Sequence, residues 1–142
     1  MLLDVLRSIE SPPVLIFVNS IPSINYLVTQ LKQEQFHCCG IHSDYPQEIR
    51  NAIVRAFREG GVDVLVCSSL LERGIDFQVD QVIIYEMPDT IEKLKHRAGR
   101  TGRAGRKGTV TVFISKECTI LREYRRLLRE NHQVIIILYF YL

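Results

Sequence analysis

Residues 96–108, HRAGRTGRAGRKG, place glycine at every third position and fill most gaps with arginine or lysine. Guanidinium groups bind phosphate through paired hydrogen bonds, and glycine allows the backbone to approach a ligand closely. On a helical turn, the spacing of three places Arg97, Arg100 and Arg103 along one edge. The stretch is therefore predicted to bind a polyphosphate. A solvated basic loop is the alternative, whereas a collagen-like repeat is excluded by the short length and the lack of proline.

The positive charge of the chain is concentrated in this stretch. Residues 95–108 hold six basic residues and no acidic one, whereas the rest of the chain holds 12 basic and 16 acidic residues. Such a local excess suits one anionic ligand better than a generally adhesive surface. With 142 residues and 46% hydrophobic content, residues 1–142 are predicted to form one domain with a core at about 12–130.

No membrane segment and no metal site are predicted. Residues 1–10 lack the pattern of a secretory signal, and the apolar residues 134–142 are fewer than the roughly 20 that a spanning helix needs. For the tail, 131–142, three readings stay open: a buried strand, a partner surface, or an artefact of where the chain was cut.

Four cysteines without a secretory signal indicate free thiols in a reducing compartment. The adjacent pair Cys38 and Cys39 would point to opposite faces of a strand, which disfavours zinc.

Apolar runs and helical stripes alternate along the chain. Strands are predicted at 14–18, about 36–41, 62–67, 81–85 and 109–114. Four helices are predicted between and after them: one with Pro22 in its first turn, one opened by Pro46, one capped by Thr90 and one capped by Ser115. The second of these helices is predicted to carry Ile49, Ala52, Ile53, Ala56 and Phe57 on one face. The alternation predicts an α/β fold, with a parallel sheet covered by helices on both faces and ligands beyond the carboxyl ends of the strands.

The sequence HRAGRTGR at 96–103 resembles motif VI, HRxGRxGR, of the DEAD-box RNA helicases and matches every fixed position. Other motifs of that family's second RecA-like domain occur in order: VLIFVNS (14–20) resembles motif IV, QEIR (47–50) the QxxR element, and RGID (73–76) motif V. The resemblance covers about residues 12–130. It implies a RecA-like three-layer sandwich that forms the C-terminal domain of an ATP-dependent RNA helicase.

The resemblance assigns the ATP side of the site. Arg100 and Arg103 match arginine fingers that reach the γ-phosphate across the domain cleft, with His96 grouped beside them. Asp76 matches an acid that contacts the ribose, and Gly74 shapes its loop. Coupling to the partner domain is assigned to Arg73, His96 and Arg97. Because the chain has no GxxxxGK[ST] loop, the resemblance implies that Mg²⁺ and most of the ATP are held by the N-terminal RecA-like domain.

The resemblance also assigns an RNA surface that contacts the sugar-phosphate backbone. Its residues are Asn19, Ser20, Ser43, Gln47, Arg50 and Ser68; for each, an ordinary polar group at a strand end is the alternative. Ser43 stands where the family commonly has glycine, Ser69 where it has aspartate, and Glu72 where it has alanine. All three departures fall on the RNA side, where a glutamate beside the phosphate path would repel the RNA.

The predicted function is the second motor domain of an RNA helicase, inactive alone and active with its N-terminal half, RNA and ATP. An adaptor protein is a further possible partner, and no membrane is involved. The rival hypothesis is a non-catalytic RNA- or protein-binding module that kept the fold. SPPVLIFV (11–18) and RGIDF (73–77) resemble the branch that acts in small-subunit ribosome assembly. An intracellular location is expected: nuclear or nucleolar if that branch is right, and otherwise cytoplasmic.

Overall fold

A computed structural model of the chain describes residues 1–68, 78–102, 105–115, 117–128 and 134–141. Within these ranges helices and strands alternate. The strands are β1 (Val14–Phe17), β2 (Cys38–Gly40), β3 (Val64–Cys67), β4 (Gln81–Ile84), β5 (Gly108–Ser115) and β6 (Val134–Tyr141). The helices are α1 (Leu2–Ser8), α2 (Ile21–Gln33), α3 (Gln47–Arg58), α4 (Ile91–Ala98) and α5 (Leu121–Leu128).

The six strands form one parallel sheet in the order β2-β3-β1-β4-β5-β6. The register places Val14 of β1 beside Val64 of β3 on one side and Gln81 of β4 on the other. All four residues of β1 are buried, as expected for a central strand covered on both faces. The predicted α/β class with a parallel sheet is confirmed.

Helices cover both faces of the sheet and create two apolar cores. On one face, α1 and α2 pack against alternate strand residues such as Ile16 and Val66. On the other face, α3, α4 and α5 contribute Phe57, Leu94 and Tyr124 to a second core. Successive side chains of a strand point to opposite faces, so each central strand supplies both cores. This three-layer arrangement fixes the positions of the strand ends.

Local signals fix two helix starts that matter for the site. The Ser20 hydroxyl accepts a hydrogen bond from the backbone N–H of Ser23 at the start of α2, and Pro22 lies in the first turn. The Thr90 hydroxyl accepts from the N–H of Lys93 at the start of α4, as predicted. Both helices therefore begin directly after loops that follow central strands.

One sequence expectation for the helices is wrong, and two features of the helices were not predicted. Ser115 does not cap a helix, because β5 continues through it and α5 begins only at Leu121. Ile49 and Ala52 of α3 are exposed, and Phe57 is the fully buried residue of that helix. Helix α1, which the periodicity analysis did not predict, buries Leu2, Val5 and Leu6. Seven residues are too few for an amphipathic pattern to stand out.

The apolar tail forms β6, which pairs in parallel with β5 along its full length and is the last strand at that edge of the sheet. One of the three readings of the tail was a buried strand, and β6 does not fit it. Half-buried and exposed residues alternate along most of β6, and Ile135 is 61% exposed. Among the described residues, no helix is long and apolar enough to cross a membrane.

Tyr124 offers a test of packing in the second core. Its side chain is 1% exposed, and its hydroxyl has no hydrogen-bond partner in the described part of the chain. Burial raises the pKa of this hydroxyl, so it stays protonated, and the desolvation of an unsatisfied O–H costs about 1 kcal/mol or more. Tyr124→Phe is therefore expected to raise the free energy of unfolding by about 1 kcal/mol in urea denaturation. A loss of stability would show that the hydroxyl is hydrogen-bonded.

Candidate functional site

The six predicted RNA-contact residues lie in a row along the carboxyl ends of three adjacent strands. Because β2, β3 and β1 are neighbours, the described residues at their carboxyl ends lie side by side over about 10 Å. Asn19 and Ser20 follow β1, and Ser68 follows β3. The β2 side supplies Ser43 from its loop, with Gln47 and Arg50 from the first turn of α3. We call this row the strand-end edge.

The side chains of the strand-end edge differ in how far they are already engaged. Asn19, Ser20, Ser43 and Gln47 are exposed, and the Gln47 amide donates to Asn51 Oδ1 at 2.8 Å. Arg50 is half-buried, and its Nε atom has no hydrogen-bond partner in the described part of the chain. An arginine donor that is shielded from solvent and unpaired is suited to a phosphate oxygen.

Arg97 holds two of the strand-end loops together. Its guanidinium lies 5.4 Å from the centre of the Phe17 ring and donates to three oxygens. These are Glu86 O at 3.0 Å, Val18 O at 3.3 Å and Asn19 Oδ1 at 3.0 Å. The side chain is 2% exposed, so its charge is directed into the protein and not outward along a surface edge.

Glu86 completes this connection and was not identified by the sequence reasoning. Its carboxylate accepts from the backbone N–H of Asn19 at 2.9 Å and from the Ser23 hydroxyl at 3.3 Å. The Asn19 amide in turn donates to Met87 O at 2.8 Å. The loops after β1 and β4 are therefore joined by hydrogen bonds that range from buried, at Val18 O, to exposed, at the Asn19 N–H. The sequence did hold a signal for this role, because Glu86 is an acidic residue that closely follows the buried strand β4.

The glycine-arginine turn lies at the opposite ends of the strands. The backbone N–H of Val79, just before β4, donates to Arg100 O at 3.0 Å. Thr101 is buried and packs against Gly108, the first residue of β5. The turn after α4 is thus at the amino ends of β4 and β5, whereas α4 itself runs back from the carboxyl ends. Helix α4 therefore runs from the carboxyl ends of the strands to their amino ends.

Within this turn, Arg100 is 8% exposed, and its Nε donates to the backbone oxygen of His96 at 3.3 Å. His96 is half-exposed on α4. Arg106, by contrast, is a surface residue that pairs with Asp80 at 3.1 Å. The predicted site residues Arg73, Gly74, Asp76 and Arg103, together with the departures Ser69 and Glu72, lie outside the described residues.

Gly108 allows the turn to pack closely on β5. A Cβ atom added there would clash with the Thr101 side chain and lie 2.9 Å from the backbone nitrogen of Gly102. Gly108→Ala is expected to lower the free energy of unfolding by about 2 kcal/mol, because a packed backbone must shift to admit the methyl group. Gly61→Ala is the matched control, since its nearest atom would be at an ordinary 3.5 Å. Equal denaturation midpoints for the two variants would contradict close packing at Gly108.

The cysteine cluster shows no sign of a ligand set. Cys38 is buried with its sulfur 3.7 Å from Val28 O, and burial raises the pKa of this thiol. His42 is buried and stacks on Tyr45 with ring centres 4.0 Å apart. Among the described residues, no group of three or more histidine, cysteine or acidic side chains is close enough to bind a metal ion.

Comparison with known proteins agrees with this architecture. Residues 1–105 match the family described as the helicase conserved C-terminal domain. The chain belongs to this helicase family. The helicase domain is also 40% identical over 127 residues to the probable ATP-dependent RNA helicase ddx41 of Dictyostelium discoideum, covering 87% of the chain and 19% of that protein.

Solved structures place the helicase domain in the DEAD-box class. The yeast DEAD-box splicing factor Prp28 superposes with a TM-score of 0.85 at 25% identity, covering 97% of this chain and 31% of that one. Dbp5 of S. cerevisiae, bound to RNA and ADP BeF3, superposes with a TM-score of 0.72 at 28% identity, covering 91% and 34%. The chain is a C-terminal RecA-like domain and spans about a fifth to a third of the length of its curated relatives.

Proposed function

We propose that this chain is the second motor domain of an ATP-dependent RNA helicase, with arginine fingers for ATP hydrolysis and part of the RNA-binding surface. The observation that carries the proposal is the strand-end edge, where adjacent strands gather six polar residues at the positions of the family's RNA motifs. Backbone recognition of RNA uses hydroxyls, amides and a few positive charges, which is the chemistry of this edge. The similarity to Dbp5 bound to RNA and ADP BeF3 supports it.

On the ATP side, Arg100 and Arg103 supply positive charge toward the phosphates, together with His96 of α4. The donor set fits a polyphosphate, because arginine is a fixed-charge, multiple hydrogen-bond donor. ATP provides the phosphoryl group that is transferred, and the N-terminal domain holds it with Mg²⁺. Arg97 acts indirectly, since its hydrogen bonds fix the loops after β1 and β4.

Arg50 gives the RNA part of the proposal a direct test. Arg50→Ala is expected to weaken binding of single-stranded RNA severalfold and to lower the salt dependence by about one phosphate contact. Arg55→Ala on the exposed surface of the same helix is the matched control and should leave binding unchanged. Fluorescence anisotropy at several salt concentrations measures both. Equal effects of the two substitutions would contradict a specific phosphate contact at Arg50.

The whole proposal is tested by joining this chain to the N-terminal domain of a DEAD-box helicase. The joined protein is expected to bind single-stranded RNA at least about tenfold tighter with ADP BeF3 than without nucleotide, because both domains then contact one RNA. The N-terminal domain alone should show no such gain. RNA affinity that is independent of nucleotide would instead support the rival hypothesis of a binding module without motor activity, which Ser43, Ser69 and Glu72 favour.

The cellular role is a separate part of the proposal. A ribosome-assembly branch, with nuclear or nucleolar location, rests only on the short flanking motifs, and relatives include a pre-mRNA-splicing helicase of Cryptococcus neoformans. An adaptor partner is supported by solved relatives, since the Dbp5 C-terminal domain is known bound to Gle1 and the E. coli protein SrmB bound to RraA.

A further inference from the structure

Strand β6 combines an open sheet edge with an uncharged apolar surface. Its sequence VIIILYFY contains no charge, proline or glycine, and among the described strands it pairs only with β5. Four of the seven exposed large hydrophobic side chains in the described part of the chain belong to it: Ile135, Ile137, Phe140 and Tyr141. Monomeric proteins usually protect such edges with charges, proline, bulges or a covering element.

The two faces of β6 are unequally covered. Val134, Ile136 and Leu138 pack on the core beneath α3, α4 and α5. On the other face, Tyr139 stacks on Phe113 with ring centres 5.3 Å apart, while Ile135 and Ile137 are 61% and 41% exposed. The strand is thus anchored from one side and along β5, and among the described residues no strand pairs with its outer edge.

We propose that β6 is a dimerisation edge, at which a second copy of this chain adds its own β6 in antiparallel orientation. A two-fold axis perpendicular to the sheet, midway between the Leu138 residues of the two copies, keeps like faces together. It sets Ile137 opposite Tyr139 of the second copy, Ile135 opposite Tyr141 and Ile136 opposite Phe140. Each is an aromatic residue paired with a β-branched residue, which is a favourable cross-strand combination.

Charge and area favour a second copy over other occupants. An edge that carries charge repels its own copy, whereas two uncharged β6 strands meet without repulsion. The four exposed side chains hold roughly 400 Å² of accessible surface per copy, or about 800 Å² for the pair. Side chains project from the faces of a sheet, so edge pairing buries only part of this surface, and the interface belongs to the small size class of weak, reversible association. The two-fold arrangement closes, because β6 is the one long, uncharged apolar edge among the described strands of each copy.

Sedimentation equilibrium of this chain across a hundredfold range of concentration tests the proposal. The expected result is a reversible monomer–dimer equilibrium that stops at two copies. Ile137→Lys, which introduces charges near the two-fold axis, should weaken dimerisation at least tenfold. Ile49→Lys is the matched control, since Ile49 is 48% exposed on α3 far from β6, and it should leave the equilibrium unchanged.

A second variant reports on the register. Leu138→Cys places a thiol beside the two-fold axis, so mild oxidation should cross-link two copies efficiently through residue 138, as identified by peptide mapping. If Ile137→Lys does not fold by circular dichroism, Ile135→Lys replaces it. A chain that is monomeric at all concentrations, that assembles without stopping at two copies, or that dimerises equally well with lysine in β6 would overturn the proposal.

Discussion

Replacing Arg103 or Arg100 by alanine is expected to lower kcat for RNA-stimulated ATP hydrolysis about a hundredfold or more. The measurement uses the chain joined to a DEAD-box N-terminal domain. The reason is electrostatic: an arginine finger stabilises the charge that spreads over the transferred phosphoryl group, and such fingers contribute about 10³ to 10⁵ in rate. The loss should appear in kcat more than in KM, because the interaction strengthens in the transition state.

Arg106→Ala is the matched control for both substitutions. Arg106 belongs to the same basic stretch, but it is a surface residue paired with Asp80. Its loss removes one positive charge without removing a finger, so kcat should stay within about twofold. If all three variants lose activity equally, the stretch acts through its general charge, and individual finger roles are wrong.

Replacing Arg97 by methionine is expected to lower the free energy of unfolding by about 3 kcal/mol. Methionine keeps the aliphatic stem but removes the guanidinium, which leaves Val18 O, Glu86 O and Asn19 Oδ1 without their donor. An acceptor left unpaired costs about 1–3 kcal/mol where water cannot replace the donor, and this applies most to Val18 O, whose hydrogen bond to Arg97 is buried. In a chain of this size the melting temperature should fall by roughly 10 °C.

Urea denaturation of the isolated chain measures this effect without any partner domain. Arg106→Met is the control, and a change within about 0.5 kcal/mol is expected for an exposed residue. A small effect of Arg97→Met would mean that water satisfies the three oxygens. The loops after β1 and β4 would then not depend on Arg97 for their positions.

The sheet could be predicted because its strands are nearly all apolar. Runs such as VLIF in β1 and VLVC in β3 have no polar face, and only a sheet covered on both sides buries them. The starts of α2 and α4 could also be predicted from local sequence. The Ser20 and Thr90 hydroxyls each accept a hydrogen bond from the backbone N–H three residues later. These features depend on local chemistry or on simple periodicity.

The roles of Arg97 and Glu86 could not be predicted, because their partners are distant in sequence. Arg97 meets Val18 across 79 residues, and Glu86 meets Asn19 across 67. Spacing alone grouped Arg97 with Arg100 and Arg103, whereas the structure directs its side chain to the opposite end of the sheet. The exposure of Ile49 could not be predicted either, because it depends on how α3 packs on the sheet and not on the sequence of α3 alone.

The most direct test of the central claim is RNA-stimulated ATP hydrolysis by this chain joined to a DEAD-box N-terminal domain, measured beside the two unjoined halves. The account predicts that the joined protein hydrolyses ATP, that RNA raises kcat, and that neither half alone does so. Activity in the N-terminal half alone that is unchanged by joining would contradict the claim that this chain is the second half of the motor.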